Sequence, residues 1–242
     1  MPRRLSRRQR MLRKDKLLRM NERVWVRDMT AVQNKVLSSI PASVGSIDNL
    51  SPVLRAYQDN VRKMIERNGN TTGEAFAQMQ VEFLTGPQKS FRDTYRKAIG
   101  DYYKRHALQA AVTVTESLRK KFRRVIARAG KQRTRREIAQ FIRDETNLTK
   151  GEAERIARTE AHTASQIGSR EGAKATGLPL IKRWLSAERR VRPTHAEADG
   201  QERELNKPYS IGGHEAMHPG DPKLPAKERI NCRCQEAYDI KE

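Results

Sequence analysis

The N-terminal part of the chain has the apolar spacing of α-helices. Over residues 9–39, apolar side chains recur at intervals close to those of one helix face, at Leu12, Leu17 or Leu18, Trp25, Met29, Val32 and Val36. A second helix is predicted to begin at Ser51, a favoured N-cap residue that precedes Pro52. Gly69 and Asn70 are expected to end that helix, because both residue types commonly terminate helices.

Helical spacing continues over residues 72–84, 88–129 and 133–146, with a kink expected near Gly100. Another helix is predicted over residues 149–176, because Thr149 and Glu152 have the spacing of a capping box. Its small residues form one stripe, at Ala153, Ala157, Ala161, Ala164 and Gly168. Such a stripe lets another element approach closely, although a plain core helix has the same pattern.

Beyond Pro179 the pattern changes to short alternating runs among turn residues. "LIKRWLS" alternates like a strand, and "INCRCQEAYDI" alternates again, which places Cys232 and Cys234 on one strand face. The predicted fold class is therefore α+β, predominantly α, with an elongated helical N-terminal body and a small C-terminal module of strands and loops. Three parts are expected: a basic arm and amphipathic helix (1–39), a helical body (40–148), and a terminal domain (149–242) made of helix 149–176 and the module 180–242.

The charge balance narrows the expected partners. Fifty Lys and Arg against 29 Asp and Glu give a formal net charge of +21 over 242 residues. Part of the excess lies in residues 1–30, of which residues 1–9 are interpreted as a disordered arm. The rest lies in an acid-free run: Arg119, Lys120, Lys121, Arg123, Arg124, Arg128, Lys131, Arg133, Arg135 and Arg136. Because like charges at helical spacing repel, the run predicts contact with the phosphates of double-stranded DNA, without sequence preference. An anionic protein surface and a solvated helix face are the alternatives.

The composition excludes membrane-spanning, secreted and disulfide-rich classes of protein. The chain has no apolar run long enough for a membrane span, and its basic N-terminus lacks the apolar stretch of a secretion signal. Two cysteines do not make a disulfide framework, so synthesis in a reducing cytosol is expected.

Cys232 and Cys234 are candidate metal ligands. Two residues apart on a strand, their Cα atoms would lie about 6.6 Å apart, close to the limit of disulfide geometry. Both thiols would project to the same side, where they could form a structural zinc site with His195 and His218. His214 or Asp199 could take the place of His218. The alternative is that the cysteines are buried as small apolar side chains.

His195 also supports an enzymatic alternative. With Asp199, His218 and Asn231 it faintly resembles the His–Asn–His pattern of small metal-dependent nucleases. The spacing fits better a turn at Asp199-Gly200, because no second histidine has the helical spacing that such a site needs.

The C-terminal motifs together resemble the phage Mu F-like head morphogenesis (minor capsid) proteins. The residues that carry the resemblance are Arg158, Thr159, Glu160, Trp184, Arg190, Arg192, His195, Asp199, Gly200, Pro219, Asp221, Pro222, Asn231, Cys232, Arg233 and Cys234. They cover about residues 150–240, and the N-terminal helices carry no matching motif.

The resemblance implies a minor head protein rather than an enzyme. It implies a role in head assembly or genome delivery, with the portal protein, capsid or scaffolding proteins and packaged DNA as partners. The expected location is the interior of the phage head, and the host cytoplasm during assembly. Some relatives append a toxin domain after the Asn-Cys-Arg-Cys motif, and none is expected in the eight residues that follow Cys234. A metal-dependent nuclease in the terminal module is the alternative function.

Overall fold

A computed structural model describes residues 5–86, 90–129, 133–146, 148, 150–187 and 190–241. Some predicted features lie outside these ranges: residues 1–4 of the basic arm, Lys131, and Thr149 of the expected capping box. The main helices are α1 (Arg7–Ser38), α2 (Ser51–Thr85), α3 (Arg92–Ala129), α4 (Arg135–Glu145) and α5 (Lys150–Ala175), with a short 3-10 helix at Ile47–Leu50. None of the helices in the described ranges combines the length and the apolar character that crossing a bilayer requires.

Helix α1 begins earlier than its apolar pattern indicates. The Ser6 hydroxyl accepts a hydrogen bond from the Gln9 backbone N–H, and the Gln9 side chain accepts one from the Ser6 backbone N–H. This capping box satisfies donors that the first helical turn would otherwise leave unpaired. Arg7 to Gln9 are therefore helical, which corrects the expectation of a disordered arm for these three residues.

Helix α2 runs through the predicted break at Gly69 and Asn70, so that boundary is wrong. At 35 residues, α2 is about 52 Å long. Gly69 is needed for packing: a Cβ atom there would lie 2.2 Å from Cε1 of Tyr103 on α3. Ser51 is also not the cap, because it has helical backbone angles and Leu50 takes the N-cap position.

The five long helices share one apolar core, which includes Trp25 of α1, Phe76 of α2, Tyr103 and Phe122 of α3. Trp25 donates its indole N–H to the Thr72 hydroxyl at 3.0 Å, so its polar atom is satisfied inside the core. The predicted stripe of α5 is buried throughout, and α5 packs against α1, α2 and α3. Helix α5 therefore belongs to the packing of the helical body as well as leading into the terminal module.

Helices α3 and α4 follow the predictions with shifted ends. Helix α3 begins at Arg92 rather than near residue 88, and it continues through Gly100. Helix α4 begins after Thr134, which forms a capping box with Glu137. The break after α2 occurs at Gly86, where φ is +81°.

The C-terminal module contains two small sheets and two short helices: β1 (Leu180–Leu185), α6 (Pro193–Glu197), β2 (Glu202–Glu204), β3 (Tyr209–Ile211), β4 (His214–Ala216), α7 (Ala226–Arg229) and β5 (Gln235–Ile240). Strand β1 is central in an antiparallel sheet of order β2-β1-β5, with Leu180 opposite Ile240 and Leu185 opposite Gln235. Strands β3 and β4 form a separate antiparallel pair.

The two cysteines lie before β5 and not within it, so their predicted place on a strand face is wrong. The segment between α7 and β5 is irregular, and Asn231 has φ of 58°. Cys232 and Cys234 are nevertheless both buried, in a small core with Trp184, Tyr209 and Ile211. Both thiols are therefore buried from an irregular segment and not through strand alternation.

The module is joined to the helical body through apolar and polar contacts. Leu84 of α2 and Ala173 of α5 share a cluster with Leu180 and Tyr238. Lys14 of α1 donates to the Glu236 carbonyl oxygen at 3.0 Å. The architecture is thus α+β and mostly α, with a helical N-terminal body and a small C-terminal β module, as predicted.

Candidate functional site

His195, Cys232 and Cys234 form one buried group, which we term the His-Cys-Cys cluster. Nδ1 of His195 lies 3.3 Å from Sγ of Cys234 and 3.7 Å from Sγ of Cys232. All three potential ligand atoms lie within 4.8 Å of one another. The three side chains are only 1–2% exposed. Both cysteines are free thiols, so their proximity does not reflect a disulfide.

Two separate segments position this cluster. Helix α6 carries His195, and begins with Pro193 after the N-cap residue Arg192. The Arg192 guanidinium donates to the Glu228 and Ile230 carbonyl oxygens, which ties α6 to the segment that leads into the cysteines. The Trp184 ring packs edge-on against His195, with ring centroids 5.6 Å apart.

Glu228 is a part of the site that the sequence did not indicate. Its Oε2 lies 3.2 Å from Nε2 of His195, on the opposite side of the imidazole from the thiols. The contact is close enough for an ion pair, although the Nε2–H is not aligned as a hydrogen bond. The same oxygen accepts a hydrogen bond from the Thr194 hydroxyl at 2.8 Å. A glutamate four residues before a cysteine has no motif that would have identified it.

The pKa values of the two thiols are shifted in opposite directions. The pKa of Cys234 is lowered to about 5, chiefly because the Cys232 thiol hydrogen bonds to it, with a further contribution from His195. The pKa of Cys232 is raised well above its ordinary value, because its proton is held by Cys234 and because it is buried. The pair therefore favours a single thiolate, on Cys234, beside the His195 ring.

The other predicted zinc ligands do not join the cluster. His218 is buried, but its Nδ1 donates to the Pro219 carbonyl oxygen at 3.0 Å. Asp199 accepts from the Ser186 backbone N–H at 2.7 Å and leads into the turn at Gly200. His214 is exposed on β4. Among the described residues only His195, Cys232 and Cys234 form such a group, which corrects the expected set that included His218.

His162 supports the cluster from α5. Its Nε2–H donates to the Cys234 carbonyl oxygen at 2.7 Å. Burial lowers the pKa of His162 to about 4, so the ring is neutral and acts as a hydrogen-bond donor. The sequence did not indicate this residue, because only the packing of α5 brings it to the cysteine segment.

The Arg158-Thr159-Glu160 motif joins α5 to its neighbours. Glu160 is buried with an oxygen 2.6 Å from Nε2 of His106 on α3, and Arg229 lies 3.9 Å from its other oxygen. Burial opposes ionisation of Glu160, but His106 and Arg229 outweigh it, and the pKa of Glu160 is lowered. The Thr159 hydroxyl bonds to the Arg155 carbonyl oxygen.

The remaining motif residues also make contacts that hold the module together. Gly200 donates its backbone N–H to the Trp184 carbonyl oxygen at 2.9 Å. Arg233 reaches Glu22 of α1, with 3.8 Å between nitrogen and oxygen. The positive charge of Arg233 therefore lies against the helical body, and the motif connects the module to α1 as well as to α5.

The acid-free basic run forms an exposed surface on two helices. We term Lys120, Arg123, Arg124 and Arg128 of α3 the basic stripe, since all four are exposed at helical spacing. Arg133, Arg135 and Arg136 are exposed around the start of α4, with the Arg133 guanidinium 3.9 Å from the Phe141 ring centroid.

Acidic residues outside the run balance part of its charge. Arg119 pairs with Glu116, Lys121 with Glu152 and Arg128 with Glu145. Lys120, Arg123 and Arg124 form no ion pair with any acidic residue in the described part of the chain. The unbalanced charge is therefore smaller than the sequence indicates, and on α3 it lies at Lys120, Arg123 and Arg124.

Comparison with known proteins gives two matches and one negative result. A family described as "Phage Mu protein F like protein" matches residues 116–237, which is half of the chain. The NAD(+)--arginine ADP-ribosyltransferase EFV of Enterococcus faecalis is 38% identical over 102 residues, which cover 40% of this chain and 21% of that protein. The chain thus spans about a fifth of that curated relative. No solved structure matches.

Proposed function

Because this chain belongs to the phage Mu protein F like family, we propose that it is a minor head protein that acts in phage head morphogenesis and contacts packaged DNA. The observation that supports the DNA contact is the basic stripe together with the exposed arginines of α4. These groups lie within residues 116–237, the part of the chain that matches the family. The portal protein and capsid or scaffolding proteins are its proposed protein partners.

The proposed DNA contact is electrostatic and independent of sequence. Lys120 and Arg124 are one helical turn apart, with Arg123 beside them, and none has an acidic partner among the described residues. Cations at this spacing repel one another in the isolated protein, so neutralisation by phosphates lowers the energy of the arrangement. Each phosphate contact releases condensed counterions, which makes such binding strongly dependent on salt.

A structural role accounts better than catalysis for the motif residues. His195, Cys232 and Cys234 are 1–2% exposed, so a duplex backbone cannot reach them without opening the module. This weighs against the alternative of a metal-dependent nuclease centred on His195. The match to the Enterococcus relative covers only 21% of that protein, so its name does not support a transferase activity for this chain.

The test is binding of the purified chain to a labelled duplex of arbitrary sequence, measured by fluorescence anisotropy across a salt series. The variant carries Lys120→Gln, Arg123→Gln and Arg124→Gln. Its matched control carries Lys97→Gln, Lys104→Gln and Arg105→Gln, three exposed cations near the other end of α3. Both variants lose the same net charge, so they differ in the position of that charge and in the pairing of Lys104 with Asp101, 3.7 Å between nitrogen and oxygen.

The stripe variant should bind more weakly, and the slope of log affinity against log salt should fall by about 2.7. The control should remain close to the wild-type chain. Equal weakening of both variants, or no binding by the wild-type chain at low salt, would overturn the proposed contact.

Two further measurements test the location of the protein in the virion and its association with the portal protein. Mass spectrometry of purified phage particles should detect the chain inside the virion, and a tagged chain expressed with the portal protein should co-purify with it. The chain is expected in the host cytoplasm only while heads assemble. Cleavage of plasmid DNA with a divalent metal, lost in His195→Ala, would instead support the nuclease alternative.

A further inference from the structure

The cluster brings together three metal-ligating side chains from segments 37 residues apart in sequence. Two sulfur atoms and one imidazole nitrogen converge on the same small volume inside a folded module. We propose that His195 Nδ1, Cys232 Sγ and Cys234 Sγ bind one zinc ion, which joins α6 to the segment that precedes β5.

The distances agree with a tetrahedral zinc centre. Zinc–sulfur bonds of about 2.3 Å and zinc–nitrogen bonds of about 2.0–2.1 Å place a tetrahedral sulfur–nitrogen pair about 3.6 Å apart. The two observed distances, 3.3 and 3.7 Å, lie on either side of this value. The imidazole therefore needs little movement relative to either thiol to admit the ion.

Glu228 lies in the position of a residue that supports a metal-bound histidine. Ligating histidines generally direct their second ring nitrogen towards a carboxylate or carbonyl group, which sets the tautomer and the ring orientation. His195 directs Nδ1 to the thiols and Nε2 to Glu228, at 3.2 Å. The Thr194 hydroxyl holds that carboxylate in place. An apolar pocket for two thiols would have no need of this arrangement.

The donor set selects the class of metal. Thiolates and imidazole favour zinc over magnesium and calcium, which take oxygen ligands. The low exposure of the cluster favours a structural role, in which the ion holds the module closed. Three protein ligands leave one tetrahedral position, and a water molecule is the simplest donor to fill it. Catalytic zinc sites share this ligand count, and the 1–2% exposure of the cluster distinguishes it from such an open site.

The module is of the kind that gains from a metal. Its strands β2, β3 and β4 have three residues each, and irregular segments connect them. Short elements bury little apolar surface, so a metal bond between distant segments adds stability that packing alone supplies poorly. The ion would connect α6 with segment 231–234, next to the hydrogen bond that Arg192 donates to the Ile230 carbonyl oxygen.

The experiment uses the full chain without a polyhistidine tag, purified from cells grown with zinc. Elemental analysis should find about one zinc per chain. Titration of the native chain with an organomercurial should release the zinc in step with modification of the two thiols. Replacement by Co²⁺ should give a thiolate-to-cobalt charge-transfer band and the intense d–d absorption of a tetrahedral site.

Zinc affinity measured in single-residue variants identifies the ligands of the ion. Cys232→Ser and Cys234→Ser should each reduce zinc affinity by at least tenfold, and Glu228→Gln by about 10- to 100-fold. The matched control is His214→Asn, which removes an exposed histidine of the same module and should retain the full zinc content. If the cysteine variants do not fold, the cobalt spectrum of the wild-type chain decides on its own.

Three results would overturn the proposal. The first is a folded wild-type chain that takes up neither zinc nor cobalt. The second is a disulfide between Cys232 and Cys234 in protein purified under reducing conditions. The third is an unchanged zinc affinity in a folded Cys234→Ser variant, because the ion would then be bound elsewhere. None of these results depends on DNA binding, so the proposed function is tested separately.

Discussion

Gly168 of α5 lies directly against Gly73 of α2: a Cβ atom on Gly168 would stand 2.2 Å from the Gly73 carbonyl oxygen. One turn later Gly172 has the same relationship to Ala77, at 2.5 Å from the carbonyl oxygen. The two helices therefore touch backbone to backbone. Because α5 leads into the terminal module, this contact also sets where the module sits on the helical body.

Gly168→Ala should destabilise the protein. The added methyl group meets backbone atoms, which cannot move aside as a flexible side chain can, so the helices must separate at a cost of about 1–3 kcal/mol. Gly100→Ala is the matched control, since apart from its chain neighbours and the nearby backbone of α3 no described atom lies within 4 Å of its Cβ position. There the substitution should stabilise by about 0.5–1 kcal/mol. Urea unfolding followed by tryptophan fluorescence measures both, and equal effects would contradict backbone contact.

The buried Lys14 should make stability depend on alkaline pH. Burial lowers the pKa of Lys14 to about 8, against attraction from Glu236 and with added repulsion from Arg10. Between that value and the ordinary lysine pKa near 10.5, the unfolded chain holds a proton that the folded chain has lost. The contribution of Lys14 to stability should therefore rise with pH, by up to about 1.4 kcal/mol per pH unit. Below pH 8 both states are protonated, and this slope disappears.

The measurement is the free energy of unfolding of the wild-type chain minus that of Lys14→Met, at several pH values from 7 to about 10. The methionine keeps most of the buried stem without a titratable group. Lys16→Met, at an exposed position of the same helix, should follow the wild-type pH profile. A difference between wild type and Lys14→Met that stays constant with pH would show that Lys14 keeps an ordinary pKa.

The buried pair of His106 and Glu160 should contribute more to stability than the exposed pair of Arg119 and Glu116. Glu160→Gln replaces a carboxylate that lies 2.6 Å from the imidazole inside the protein, and losing a buried hydrogen bond to a charged group costs about 1.5–3 kcal/mol. Glu116 is 49% exposed, and Glu116→Gln should cost about 0–1 kcal/mol. Thermal and urea unfolding test the comparison. Similar losses in the two variants would mean that water reaches Glu160.

Asn231 should tolerate glycine better than alanine. Its φ of 58° lies in the left-handed region, where a Cβ atom costs about 1–2 kcal/mol, and its side chain is exposed. Asn231→Gly should therefore fold as the wild-type chain does, whereas Asn231→Ala should lose about 1 kcal/mol. The two variants serve as each other's control in urea unfolding. Equal stability would imply that the turn before Cys232 relaxes to another conformation.

The sequence was sufficient for features that depend on neighbouring residues. Helical periodicity identified α1, α3 and α4, and the alternation in "LIKRWLS" identified β1, because side-chain spacing reflects the repeat of each element. Helix α5 was predicted from the spacing of Thr149 and Glu152. It was insufficient where residue preference and packing compete. Gly69 reads locally as a helix end, yet α2 continues because the missing side chain makes room for Tyr103.

The candidate site shows the same division. The motif residues identified the family, and His195, Cys232 and Cys234 were recognisable as ligand types, because these follow from residue identity alone. The packing of α5, α6 and α7 sets the distances between these three ligands. It also brings Glu228 and His162 to the cluster and keeps His218 away from it. Likewise, only the structure shows that Glu116, Glu145 and Glu152 balance part of the charge of the acid-free run.

The amino-acid order alone therefore determined the helical class, the basic charge and the chemistry available for a site. Tertiary structure decided which glycines face a neighbouring helix, which cations remain unpaired and which ligands meet. The physical reason is range: propensity and periodicity act over a few residues, whereas contacts between distant segments form only when whole elements pack together.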